Sequence, residues 1–288
     1  MKNKISFSIP GLFLLRKLNV AFVNILMKKP YMFNEDVEIG SVYGCFPCSW
    51  NGGRGEIWGE FSLAEFDNTV SFFNQKNIQV RLTLTNQFLK EDDMFDYVGN
   101  LLCSTINKYK INAANVRSQI LWKYLDDAYP QIQKIMSTTL RISDVNEINE
   151  ISKNNLLVPD YSIVNNFEVL SQLKNVHNIE LLCAEPCHPN CEYRHLHQAN
   201  SDAVQRYLAG RKFECPYGEY RKTLKELKEH PNYVSLERMR TEYRNLGINQ
   251  FKISGRQSDP MTVIEHYVEY LIKPEYKDEV RIDLLRSI

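Results

Sequence analysis

The chain has 288 residues, 43% apolar and 24% charged, with 35 Lys+Arg balanced by 35 Asp+Glu. That length allows one large α/β domain or two smaller ones, and the composition is ordinary for a globular protein with a sizeable core. Zero formal charge excludes an overall basic field, so nucleic acid is not indicated as a partner, and no window reaches the roughly 18 unbroken apolar residues of a membrane span.

Apolar runs of strand length alternate with segments of helical period. Ile5–Ile9 is followed by Leu12–Lys28, where Leu15, Leu18, Phe22 and Ile25 recur at helical spacing and predict a helix packed on a sheet. Arg16, Lys17 and Asn19 interrupt this segment, and no small-residue cleavage site follows an apolar stretch. Export is therefore not expected, and a reducing, cytoplasmic setting is. Val37–Tyr43 leads into GCFPCSWNGGRG and a helix over Leu63–Gln75, with Ser62 and Glu65 in a capping-box arrangement. Next come Ile78–Leu84 with Asp92–Lys108, and Ile111–Val116 with Ser118–Tyr129. Ile132–Met136 pairs with Ser143–Lys153, capped by Ser143 or Asp144 with Glu147 following, and Leu156–Val158 pairs with Asn166–Asn175. Ile179–Leu182 opens onto a long excursion, Cys183–Tyr233. Ser235–Leu246, capped by Ser235, then precedes the last run, Phe251–Ile253, and Met261–Ile272 is the final helix.

Strand and helix in regular alternation imply parallel strands joined by right-handed crossovers. Eight such strands fit a closed (β/α)8 barrel, for which about 250 residues is typical. A doubly wound open sheet is the competitor, but no Gly-rich phosphate turn follows the first strand. The expected fold is α/β: a TIM-like (β/α)8 barrel, one domain over 1–288, with a cysteine-rich insertion at 183–233 after the seventh strand.

In such a barrel the residues just after each strand share one face. Arg54, beside Gly52-Gly53, suits an anion or carboxylate, and with Asn86, Arg117 and Ser137 it is expected to bind substrate. Glu185 is expected as a general acid or base. Lys252, on the last strand, and Arg256, at its exit, are the other catalytic candidates.

Cys183, Cys187 and Cys191 are spaced C-x3-C-x3-C, and Cys215 follows. In a reducing compartment such clustering points to metal or redox chemistry rather than to disulfides. Four thiolates suit an iron–sulfur cluster or zinc. Zinc ribbons prefer paired C-x2-C knuckles, and the spacing differs by one residue from the C-x3-C-x2-C of radical S-adenosylmethionine enzymes. His188, His195 and His197 lie in the same stretch, placed to ligate, relay protons or cover the centre. Cys45 and Cys48 form a single C-x2-C: a redox pair, a source of the fourth ligand, or two structural thiols. Cys103, inside a helical pattern, reads as a small hydrophobe.

Three pieces, ELLCAEPCHPNCEYRHLH, the later Cys215 and the terminal GINQFKISGR, resemble the collagenase-like peptidase family, U thirty-two, in its shorter barrel-only form. VYGCFPCSWNGGR, LTLTNQFL and IMSTT stand in the order that family shows, so the resemblance runs from about Val37 to Ile272. It implies a TIM-like barrel and, as in several relatives, a 4Fe–4S cluster held by the loop cysteines. Cys187, Cys191 and Cys215 match the family's ligands best, while Cys183 and Cys45 compete for the fourth position. Such relatives take part in oxygen-independent hydroxylation of RNA bases or of the ubiquinone ring, although the family's name is that of a protease. The extra C-terminal domain of the larger members is not found in this sequence, which weighs against RNA as substrate.

The leading expectation is thus an iron–sulfur enzyme acting by oxygen-independent hydroxylation or related redox chemistry at the barrel mouth. It would be served by an electron donor or a second barrel subunit. A hydrolase is the alternative, and a non-catalytic partner subunit stapled by its metal is a third.

Overall fold

Alternation along each strand decides which side chains face the helices and which face the barrel axis. In β1 (Ile5–Pro10) the buried Ile5, Phe7 and Ile9 join the large core under the helices, while Ser8 turns inward. The computed structural model describes residues 4–52, 62–207, 213–217, 223–254 and 259–287. The remaining strands are β2 (Val37–Gly44), β3 (Gln79–Leu84), β4 (Ala113–Val116), β5 (Gln133–Met136), β6 (Leu156–Leu157), β7 (Glu180–Leu182) and β8 (Gln250–Lys252). All seven ladders are parallel, in the order β6-β5-β4-β3-β2-β1-β8-β7. One parallel bridge, Leu157 to Ile179, brings the two ends of this sheet together. The fold is a nearly closed TIM-like barrel, as the alternating runs predict.

Helices cover the outside: α1 (Arg16–Lys28), α2 (Leu63–Asn74), α3 (Tyr97–Ile106), α4 (Gln119–Ala128), α5 (Val145–Ile151) and α6 (Phe167–Leu170). Then come α7 (Arg194–Tyr207), α8 (Leu224–Lys228), α9 (Leu236–Arg238, running into a π turn at Met239–Tyr243), α10 (Pro260–Leu271) and α11 (Lys277–Leu285). The caps act where the sequence puts them: the side chains of Ser62, Asp144 and Ser235 accept from the backbone of Glu65, Glu147 and Arg238. The Glu65 carboxylate, however, pairs with Arg16 at 3.2 Å instead of closing a box. Two expectations are corrected. The segment expected as a helix over Asn166–Asn175 is helical only across Phe167–Leu170, and Met261–Ile272 is not the last helix, because α11 follows it. Only Val280 and Leu284 of α11 are buried, too short an apolar stripe to stand out in a sequence.

The interior of the barrel is divided. Ala113, Ile135, Val158, Tyr161 and Leu182 form a small apolar cluster on one side. On the other, Arg81 Nη1 meets Glu180 Oε1 at 2.7 Å, and Ser8 donates to the same carboxylate and shares a 2.6 Å hydrogen bond with Ser41. A register shift between Phe7 and Ser8 leaves Gly40 of β2 as an extra residue. This bulge keeps Ile39 and Val42 in the outer core and turns Ser41 inward. Burial alone would raise the Glu180 carboxyl, but Arg81, Lys252 and the Ser8 hydroxyl outweigh it and hold the group below its ordinary value. Among the described residues no helix is long and apolar enough to cross a membrane.

The helix layer contains one buried titratable group with a readable pH signature. His266 on α10 is 2% exposed and neither ring nitrogen has a hydrogen-bond partner. Burial lowers its pKa to about 4, against the opposing pull of Glu265 and Glu269. An unfolded histidine titrates near roughly 6.5. A folded value below the unfolded one means that the contribution of neutral His266 is whole above that pH and fades as pH falls towards 4. Denaturant unfolding is expected to lose roughly 3 kcal/mol from this group over that window. His266→Phe should flatten the acid limb by that amount, and equal slopes in the two proteins would refute the assignment.

Candidate active site

The C-terminal ends of the strands open onto a mouth that α7 crosses. Among its described side chains the buried ones are Arg194, Gln198 and Asp202, spaced four apart on one side. Arg194 Nη1 pairs with Asp160 after β6, its Nη2 donates to Thr138 O at 3.3 Å, and its guanidinium lies 4.0 Å from the ring centre of Tyr161. Asp202 accepts from Gln87 Nε2 at 2.7 Å, and its carbonyl accepts from Asn86 Nδ2 at 3.0 Å. One turn on, Arg206 pairs with Asp93 at 2.8 Å. Polar contacts thus dock α7 across the ends of β3 to β6.

The loop leading to α7 is tied down from both sides. Val234 N donates to Cys183 O, and Asn232 Nδ2 donates to Glu185 O at 3.3 Å and to Cys187 O at 2.8 Å. Tyr161 OH donates to His188 O at 3.1 Å. Asn190 takes a left-handed φ of 53°, a conformation that asparagine tolerates better than most residues. The segment 213–217 is held against this loop by ring stacks: His188 on Tyr217 at 4.1 Å and His197 on Phe213 at 4.8 Å.

Those stacks place the segment of Cys215 beside the loop. Burial raises the Cys191 thiol, and the neighbouring Cys187 and Cys215 add to the effect. Burial also raises the phenol of Tyr161, with Arg194 opposing and the neighbouring Cys187 adding to it. Cys187, Cys191 and Cys215 are all half-buried. Cys183 stands on the other face of its strand: Leu182 belongs to the interior cluster, Cys183 to the outer core. Its sulfur donates to Lys252 O at 3.5 Å, and burial pushes the thiol up to about 12. Cys45 is buried too, and burial, followed by the neighbouring Cys48 and Cys103 thiols, pushes it well above the ordinary value. Such a thiol is a poor nucleophile. All seven cysteines are free.

Cys187, Cys191 and Cys215 are soft donors of the kind a thiophilic metal takes. As they stand, no three His, Cys, Asp or Glu side chains among the described residues are arranged to hold a metal ion. Cys183 and Cys45, the two sources named for a fourth thiolate, are each engaged in other packing.

The other expected site residues divide as follows. Glu185 is buried and accepts from Ser254 Oγ at 3.2 Å. Lys252 is also buried, its Nζ 3.9 Å from the ring centre of Tyr43 and its charge felt by Glu180. Asn86, besides meeting Asp202, donates its backbone N–H to Trp50 O at 3.0 Å. Arg117 donates to Gln87 Oε1 at 3.0 Å. Ser137 accepts from Thr139 Oγ1 at 3.1 Å. Arg54 and Arg256 lie outside the described residues. The sequence reading did not single out Arg194, Gln198, Asp202, Arg81 or Glu180. The signal for the first three was present in a helix whose only regular stripe is polar, and for the last two in charges set within apolar strand runs.

No protein-family model matches this chain, and no curated protein is similar to it. Among solved structures it is similar to a mutant O-GlcNAc hydrolase of Thermobaculum terrenum, with 10% identity, a TM-score of 0.40 and 99% of this chain covered. The chain spans 63% of that hydrolase. It is similar as well to a GH113 β-1,4-mannanase, at 8% identity and a TM-score of 0.37, covering 98% of each chain.

Proposed function

We propose that the chain is a short member of the collagenase-like peptidase family, U thirty-two, and that Cys187, Cys191 and Cys215 hold an iron–sulfur cluster beside the barrel mouth. The substrate bound there undergoes oxygen-independent hydroxylation or a related redox modification. What supports this reading is that Cys215, 24 positions beyond Cys191 in the chain, lies in a segment stacked on the thiol loop and near enough to act on the Cys191 thiol. When bound, the cluster would supply electron transfer. The chain's own residues keep the thiols in place through the His188–Tyr217 stack and Tyr161, and α7 shields the mouth from water. Glu185 and Lys252 stand ready as a proton-handling acid and a fixed positive charge. Seven free thiols suit a cytoplasmic, reducing compartment.

The test is anaerobic purification followed by iron, sulfide and zinc analysis of single Cys→Ala variants. Iron with absorption near roughly 400 nm is expected in the parent protein. It should be lost on changing Cys187, Cys191 or Cys215 and kept on changing Cys103. The same measurement at Cys183 and Cys45 decides whether either supplies the fourth ligand. A colourless zinc protein, or iron indifferent to all three loop thiols, overturns the proposal. Activity that survives complete metal removal but not alkylation of one thiol would favour a hydrolase instead.

A further inference from the structure

The buried stripe of α7 leaves hydrogen-bonding capacity unspent over the ends of β4 and β5. Gln198 is 7% exposed, yet neither Nε2 nor Oε1 has a partner. It stands one turn from Arg194 and one turn from Asp202, both of which bond into the mouth, so its amide faces the same space. Beside Asp202, one turn along from Gln198, Nη1 of Arg117 is buried without a hydrogen-bond acceptor, 3.8 Å from Asp202 Oδ2. Nε of Arg194 and Oγ1 of Thr85 are likewise without partners. Native proteins satisfy nearly all their buried polar atoms, so several orphans in one place mark a space whose partner is not part of the chain.

The charge of the place indicates the kind of partner. Burial, and then Arg141 and Arg194, lower the pKa of Arg117 against the pull of Asp202. The guanidinium groups of Arg117, Arg141 and Arg194 lie near one another here, and Asp160 and Asp202 are the carboxylates bonded to them or to their neighbours. Both Asp160 and Asp202 already accept bonds from their neighbours. The unspent groups are mostly donors, and guanidinium and amide donors set side by side match the oxygens of an anion.

We propose that Arg117 and Gln198 clamp an oxyanion of the substrate, a carboxylate or a phosphate, beneath α7. This names the substrate class for the function proposed above, and it rests on that reading for the reaction but not for the binding. The anionic group seats against Nη1 of Arg117 and Nε2 of Gln198, while Asp160 keeps Arg194 at the rim. Gln198 carries no charge to repel the ligand and presents a donor from the helix side, which closes the clamp over the ligand.

Calorimetric titration of the anaerobically purified protein with inorganic phosphate and with malonate tests this. At least one is expected to bind saturably and to weaken as salt rises; whichever binds more tightly distinguishes phosphate from carboxylate. Arg117→Met and Gln198→Glu should each weaken it by about tenfold or more, the scale of a charge-assisted hydrogen bond. Gln198→Leu should weaken it less than Gln198→Glu. Unchanged melting temperatures and metal content show that the losses are local, and if Arg117→Met fails to fold, the Gln198 pair still decides. Binding that is equal in all the proteins, or absent in the parent, overturns the proposal. Anion binding in a protein without iron sinks the iron–sulfur reading alone, whereas iron without anion binding sinks this one alone.

Discussion

Glu180→Ala is expected to cost about 3–5 kcal/mol of unfolding free energy, the range found when one partner of a buried ion pair is removed. Glu180 is 2% exposed and receives Arg81, Ser8 and the field of Lys252. Without the carboxylate, the Arg81 guanidinium, which lines an open cavity with Gln79, Gln133 and Gln250, is left without its counter-charge. Removing both charges together, as Arg81→Met with Glu180→Leu, should be far milder, because the desolvation of both ions disappears along with their attraction. Guanidinium chloride unfolding of Arg81→Met, Glu180→Leu and the double closes the cycle. A double mutant no more stable than Glu180→Ala would show that the pair is not what stabilises this end of the barrel.

Gly99→Ala is expected to destabilise, although alanine is the better helix former by about 1 kcal/mol. Gly99 lies in the first turn of α3, and a Cβ there would meet the Trp50 indole at 2.6 and 2.7 Å. The indole cannot yield easily. It is fully buried, its Nε1 donates to Asp93 O at 2.6 Å, and it meets Tyr124 edge-on at 5.8 Å. Overpacking of this kind costs about 1–3 kcal/mol, so a net loss of roughly 1–2 kcal/mol remains after the gain in propensity. Thermal unfolding should show a drop of several degrees, and Trp50→Phe should relieve most of it in the double mutant. An unchanged melting point would mean that the loop around Trp50 is free to move. That loop also positions Asn86 at the mouth, through Trp50 O.

The barrel was legible because its strands alternate and its helices carry caps, and both signals are local. All eight runs became strands within two residues of their expected limits. What stayed hidden depends on long-range register. Gly40 looks like any strand glycine until its bulge is seen to turn Ser41 towards Ser8. Cys183 looked equal to its neighbours in C-x3-C-x3-C, because spacing does not say which face of a strand a residue ends on. The segment that carries Cys215 is held against His188 and His197 through rings at Tyr217 and Phe213 that no linear motif connects. Arg194, Gln198 and Asp202 went unnoticed because a polar stripe at helical spacing is the ordinary mark of a solvated face.

The single bridge between Leu157 and Ile179 gives this barrel a seam. Asp160 follows the strand on one side of it and Arg194 the strand on the other, so their ion pair works as a clasp across a gap that peptide hydrogen bonds barely span. Side-chain electrostatics, rather than a backbone ladder, therefore govern how far that wall of the cylinder can breathe. Whatever draws Arg194 away from Asp160 would loosen the wall and the lid in one motion.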